Sequence, residues 1–160
     1  MKISTTRFGD ISIDESKVIR MRGGMLGFEH LKRYEIFIQS EKIPFWWFQS
    51  VDDGSVAFVV INSLAVKQDY EPVIPAAEVK LLEIGSPEDV VLLSVVTIRS
   101  DPFKVTANLR APIVVNAKKM LAQQVVLVDS DYPVQYPVTE NSAVSKGKAK
   151  TEILPSALAL

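Results

Sequence analysis

Cysteine is absent from this chain of 160 residues, and histidine occurs once. The protein therefore has no disulfide, no thiolate nucleophile and no thiol ligand for a zinc finger or an iron–sulfur cluster. The lone imidazole, His30, sits in the polar string Gly27-Phe28-Glu29-His30-Leu31-Lys32-Arg33, and any Ser-His-Asp relay or histidine metal site would rest on it alone. It reads as an exposed loop residue. Excess charge of either sign is missing too: 18 Lys and Arg stand against 19 Asp and Glu, a formal net charge of −1. Without a basic surplus to neutralise phosphates, wholesale electrostatic binding to nucleic acid is disfavoured, and only a local basic patch stays open. Long apolar runs are also lacking. No segment reaches the roughly 18 uninterrupted apolar residues of a membrane span, and the start, MKISTTRFGD, carries no signal-peptide stretch, so the expected address is the cytoplasm. The glycines at Gly23, Gly24 and Gly27 lack the lysine and hydroxyl of a P-loop and the spacing of a dinucleotide fingerprint. Positive backbone φ in a turn is their expected use, and no cofactor is expected.

What is present reads as β-structure. Lys2–Ser4, Gly9–Ile13, Val18–Arg20, Tyr34–Gln39, Trp46–Ser50, Ala57–Ile61, Val90–Ile98, Lys104–Asn108, Ile113–Asn116 and Gln124–Val128 are short, rich in β-branched or aromatic residues, and separated by Gly, Pro, Asp or Ser. The expected fold is mainly β: a small antiparallel barrel-like or sandwich domain over residues 1–138 with one or two short helices. Runs such as AFVVIN and VVLLSVVTI do not alternate, which points to strands buried on both faces. One helix is expected over Pro75–Glu83, ended by Gly85, and a single turn at Ser86-Pro87-Glu88-Asp89 before a strand. From Thr139 the chain loses its aromatics and gains Ser, Ala and Lys, and residues 139–160 read as a flexible tail. Its apolar end, Ile153–Leu160, could also cover an apolar groove on this domain or on a neighbouring copy.

The richest stretch is PFWWFQSVDDGSVAFVVIN, Pro44 to Asn62. In a strand, Phe45, Trp47 and Gln49 point one way and Trp46, Phe48 and Ser50 the other, so one set is expected in the core and the other under a strand, the tail or a partner. A base-stacking platform would be flanked by Lys and Arg; here the flank is Asp52 and Asp53, and no basic residue occurs from Phe45 to Asn62. The carboxylate pairs Asp14-Glu15, Asp52-Asp53 and Glu88-Asp89, and the acids Asp69 and Glu71, could in principle serve as general acid and base. Each lies in an expected turn, where Asp is favoured for bonding nearby amides.

The segments ISTTRFGDISID, MRGGMLGFEHLKRYEI, PFWWFQSVDDGSVAFVVIN, the triplet Asp69-Tyr70-Glu71, VVTI, TANLRAPIVVNAKK and QQVVLVDSDYP together resemble the FliW family of flagellar assembly factors, over about residues 1–136. Ser63-Leu64, where the family often has a proline, departs from the pattern, and the tail has no counterpart in it. The resemblance implies a regulator rather than an enzyme: a small β-barrel, monomeric when free, that binds flagellin and, alternatively, the RNA-binding translational repressor CsrA. It also implies that CsrA is antagonised allosterically and released when unsecreted flagellin accumulates.

Such partners set expectations for the surface. A basic RNA-binding partner calls for acids, and Asp52, Asp53, Asp69, Glu71, Glu78 and Glu83 are available in turns. An apolar flagellin end calls for a hydrophobic groove or strand edge, with Trp46, Tyr70 and Ile74 as candidate walls. In NLRAPIVVN, Ile113–Val115 read as core, leaving Asn108, Arg110 and Asn116 as surface or turn-fixing groups. The competing reading is a β-barrel that binds single-stranded RNA directly, and a hydrolase using the Asp52-Asp53 pair comes third.

Overall fold

The computed structural model describes residues 1–139 of the chain. In chain order the strands are β1 (Lys2–Thr5), β2 (Gly9–Ser12), β3 (Ile19–Met21), β4 (Arg33–Phe37), β5 (Trp46–Ser50) and β6 (Ala57–Asn62). The short helices α1 (Ser63–Val66) and α2 (Ala76–Leu81) follow, then β7 (Val90–Ser100), β8 (Phe103–Ala107), β9 (Ile113–Asn116), β10 (Leu121–Gln124) and β11 (Tyr136–Pro137). The expected tail lies, from residue 140 onward, outside the described residues.

Closure comes from one long strand. Residues Val90–Leu93 of β7 pair with β9, Leu93–Val95 with β6, and Val96–Ser100 with β8. The sheet order β7-β6-β5-β4-β3-β10-β9 thereby returns to β7 as a closed seven-stranded barrel, with β8 and β11 extending one side and β1–β2 forming a separate hairpin. The mainly β class is as the residue pattern implies. All pairings are antiparallel except one: β10 runs parallel to β3, Leu121 opposite Arg20 and Ala122 opposite Met21. No tight turn links these two strands, so their direction is set by closure rather than by a hairpin. Closing the sheet removes the free edges that would otherwise template aggregation.

Side-chain alternation fills the barrel. Tyr34 and Ile36 from β4 meet Trp46 and Phe48 from β5, with the Tyr34 and Phe48 rings stacked at 4.4 Å and 8°. Trp46 is 2 % exposed, which corrects its expected place in a surface groove: it belongs to the inward set, and the outward set contributes Trp47 instead. All four residues of β9 are buried, Ile113 and Val115 in the barrel interior and Val114 under the outer layer, as a non-alternating run implies.

The helical turns follow local chemistry. Asn62 caps α1 by accepting from the Leu64 N–H, a helix too short to leave a periodic trace and therefore missed in the sequence. Helix α2 ends at Leu81 with Leu82 as its cap, and the next residue, Glu83, turns into the left-handed region at φ 55° while the Ile84 N–H reaches back to the Val79 carbonyl. That left-handed turn is thus two residues before the expected Gly85. At Ser86-Pro87-Glu88-Asp89 a single 3₁₀ turn precedes β7 as expected. The strand expected at Gln124–Val128 lies earlier, at Leu121–Gln124. Beyond it the Val125 amide still donates to the Pro112 carbonyl and Leu127 to that of Arg110, but Val128 donates locally to the Val126 carbonyl and the chain leaves the sheet.

Candidate functional site

Outside the barrel, α2 and its flanking loops rest on a second apolar layer: Leu82, Val114, Leu121, Val125 and Leu127, joined by half-buried Ile74, Ile84, Val90 and Leu92. The cover is incomplete. Between the Tyr70–Ile74 loop, α2 and the outer face of β7 runs a groove of about 610 Å³, lined by Leu64, Tyr70, Glu71, Ile74, Val79, Ile84, Val90 and Leu92 among others. A volume of that size falls in the about 300–1,000 Å³ of ligand-binding clefts.

The loop forming one wall is held rigidly. Tyr70 donates its hydroxyl to the Leu109 carbonyl and lays its ring edge-on against Tyr132 at 4.7 Å. Burial, followed by the neighbouring Tyr132, pushes the Tyr70 hydroxyl far above its usual pKa, so it stays a neutral donor. The Tyr132 hydroxyl in turn accepts from the Glu71 N–H at 3.1 Å, which pins the backbone of Glu71 while its carboxylate faces solvent. Asp69, one residue earlier, pairs with Lys67 at 2.7 Å.

Helix α2 supplies the opposite wall through Val79, and two acids of unlike situation stand near it in the chain, Glu78 on the helix and Glu83 just beyond it. Glu78 is half-buried, with its Oε2 enclosed and, among the described residues, without a hydrogen-bond partner. Glu83 is exposed and engaged by Arg22 at 3.1 Å and Lys119 at 3.6 Å. The end of α2 is fixed from below by Asn116, whose amide donates to the Leu82 and Glu83 carbonyls at 2.8 and 3.1 Å.

The remaining acids do structural work. Asp52 accepts from the Lys32 and Arg33 amides and from the Arg33 guanidinium, the last at 2.8 Å. Burial pushes its pKa up, but these bonds outweigh it and hold the carboxyl below its ordinary value. Asp53 accepts from the Ser55 hydroxyl and amide, and Asp14 likewise from Ser16. These are the amide-bonding turn positions expected of Asp. The Asp52-Asp53 turn lies before the start of β6, whereas Asn62 at its far end borders the groove, a separation of about 17 Å along the strand.

A smaller hollow of about 420 Å³ opens at Trp47, lined also by Arg7, Phe8 and Gln39. The Arg7 guanidinium sits 4.5 Å from the indole centre, Phe8 packs edge-on at 5.8 Å, and Gln39 accepts from the indole N–H. The interval Phe45–Asn62 has no basic residue of its own, but the β1–β2 turn delivers one onto it.

With this geometry in view, the chain matches the family model described as FliW protein over residues 2–138. It is 54 % identical over 141 residues to a flagellar assembly factor FliW of Syntrophus aciditrophicus, covering 88 % of this chain and 89 % of the relative. A relative of the same name from Geobacter sulfurreducens is 42 % identical over 150 residues, 94 % of each chain. A crystal structure of the flagellar assembly factor FliW superposes with a TM-score of 0.79 at 34 % identity, covering 86 % of this chain and 96 % of that one. The chain belongs to the FliW family of flagellar assembly factors.

Within this FliW domain, Tyr70, Glu71 and Ile74 line one groove, whereas Glu78 on α2 and Glu83 just beyond it are chain neighbours of the lining residues Val79 and Ile84 and are not part of the lining. Asp69 adjoins it, while Trp46, Asp52 and Asp53 lie elsewhere. Sequence reasoning missed Val79, Ile84, Val90 and Leu92, since half-buried walls and core residues carry the same apolar signal. Among the described residues no helix is long and apolar enough to cross a membrane.

Proposed function

We propose that this FliW protein acts as a non-catalytic partner switch in the cytoplasm, monomeric when free. It binds flagellin or a CsrA-like translational repressor, one at the expense of the other, without binding nucleic acid directly. One observation carries the reading: an apolar groove on a FliW-family barrel is edged by the exposed carboxylate of Glu71, with Glu88 and Asp89 alongside Pro87. An apolar floor suits a flagellin end, and acids at the rim favour a basic RNA-binding protein. The test is calorimetric titration with the same organism's CsrA-like protein at low and high salt, before and after adding flagellin. Binding that weakens with salt and disappears with flagellin is expected; salt-insensitive binding, or simultaneous binding of both, refutes the switch.

A second reading rests on the Arg7-capped Trp47, a basic and aromatic pair of the kind that stacks bases. It expects Trp47 fluorescence to be quenched by a single-stranded oligonucleotide at low salt. A flat titration removes it.

A further inference from the structure

We propose that the groove beside α2 takes the chain's own C-terminal segment, Ile153–Leu160, so that the domain carries an internal competitor for whatever docks there. Where the described chain ends is the first argument. Tyr132 packs on Tyr70 and bonds Glu71, both of which line the groove, and from there the last described residues run alongside β8, with Val138 donating to the Val105 carbonyl and packing against the cluster that contains Ala65 and Val66 of α1. The spacer 140–152 spans about 40 Å when extended, ample to bring the terminal segment over α2.

Chemical match is the second argument. The terminal ILPSALAL is apolar at every position but Ser156, and the groove walls contributed by Leu64, Ile74, Val79, Ile84, Val90 and Leu92 are apolar as well. The spacer carries Lys146, Lys148 and Lys150 in its middle against Glu140 and Glu152 at its two ends, and so keeps a small positive excess. Among the described residues no salt bridge engages Glu71, which lines the groove, or Glu88 and Asp89, which follow the lining Pro87 in the chain. Basic spacer and acidic rim are complementary. The segment lies beyond the residues 2–138 that match the family, so the competitor belongs to this chain rather than to the FliW domain in general.

The test uses the full chain alone, with no partner present, so its failure is distinct from failure of the partner switch. A photoreactive benzoylphenylalanine replaces Leu158, and cross-links formed at micromolar protein are mapped by mass spectrometry. Intramolecular links to α2 or to the outer face of β7, independent of protein concentration, are expected. Links confined to other faces, links only between copies, or none at all overturn the proposal. In parallel, methyl spectra of the full chain are compared with those of Leu158→Asp. Displaced signals from Ile74, Val79 and Ile84 are expected, and unchanged groove signals refute the docking.

Discussion

At the scale of single residues, two positions show how narrow the tolerance is. A Cβ added at Gly54 would stand 1.8 Å from the Ser4 carbonyl oxygen, and the Gly54 carbonyl accepts from Thr6 at 3.1 Å. The β5–β6 turn therefore presses backbone to backbone on the β1–β2 hairpin. Gly54→Ala is expected to cost about 1–3 kcal/mol, read as a lower urea midpoint. Glu35 behaves differently. Its side chain is buried, accepts from the Asp14 N–H at 3.0 Å, and has no cationic partner among the described residues. Burial holds its carboxyl above the ordinary value, with the Asp14 amide offsetting part of the effect. A carboxyl raised on folding binds its proton more tightly in the folded state, so stability falls as pH rises from the unfolded value, about 4.3, through the folded one. Glu35→Gln keeps the acceptor and removes the charge. It is expected to raise the melting temperature at pH 7, with the gain vanishing near pH 4 in a melting series across pH.

At the scale of elements, the coupling of α2 to the barrel runs through Asn116. Its Nδ2 holds the Leu82 and Glu83 carbonyls, and its Oδ1 accepts from Lys118 and Lys119 at 3.1 and 3.2 Å. One side chain thus fixes both the end of α2 and the turn between β9 and β10. Asn116→Ala leaves these groups unpaired and is expected to cost about 1–3 kcal/mol. Hydrogen exchange should place the loss locally, with the Glu83 and Ile84 amides exchanging faster than those of β5. Asn116, expected from its place in NLRAPIVVN at the surface or in a turn, is a buried turn-fixing group.

At the scale of the whole molecule, nearly balanced charge leaves the distribution of acids, rather than their sum, to decide which partner is drawn in. Glu71 lines the groove and exposed Glu88 follows the lining Pro87, while Glu83 is paired with Arg22 and Lys119. Reversing both, Glu71→Lys with Glu88→Lys, is expected to weaken binding of a basic partner about five- to tenfold at low salt. The deficit should shrink at high salt, where screening flattens the difference, and the melting temperature should stay unchanged. Titration calorimetry with a parallel melting curve checks both.

Much of this architecture is written locally. β-Branched and aromatic runs bounded by turn residues mark most strands, because pleated half-buried surface selects those side chains wherever it forms. Asp14, Asp52 and Asp53 announce turns by bonding amides at most a few residues away or across one hairpin, and α2 shows in its own spacing. Other decisions belong to the tertiary structure. Period-two alternation separates Trp46 from Trp47 but does not say which faces inward. The parallel β3–β10 contact, the sharing of β7 among three neighbours, the seating of Arg7 on Trp47, and the meeting of Tyr70, Glu71 and Ile74 with Val90 and Leu92 around one groove all join residues distant in the chain. They arise when the sheet closes and its outer layer packs, and no local pattern of residues encodes that choice of partners.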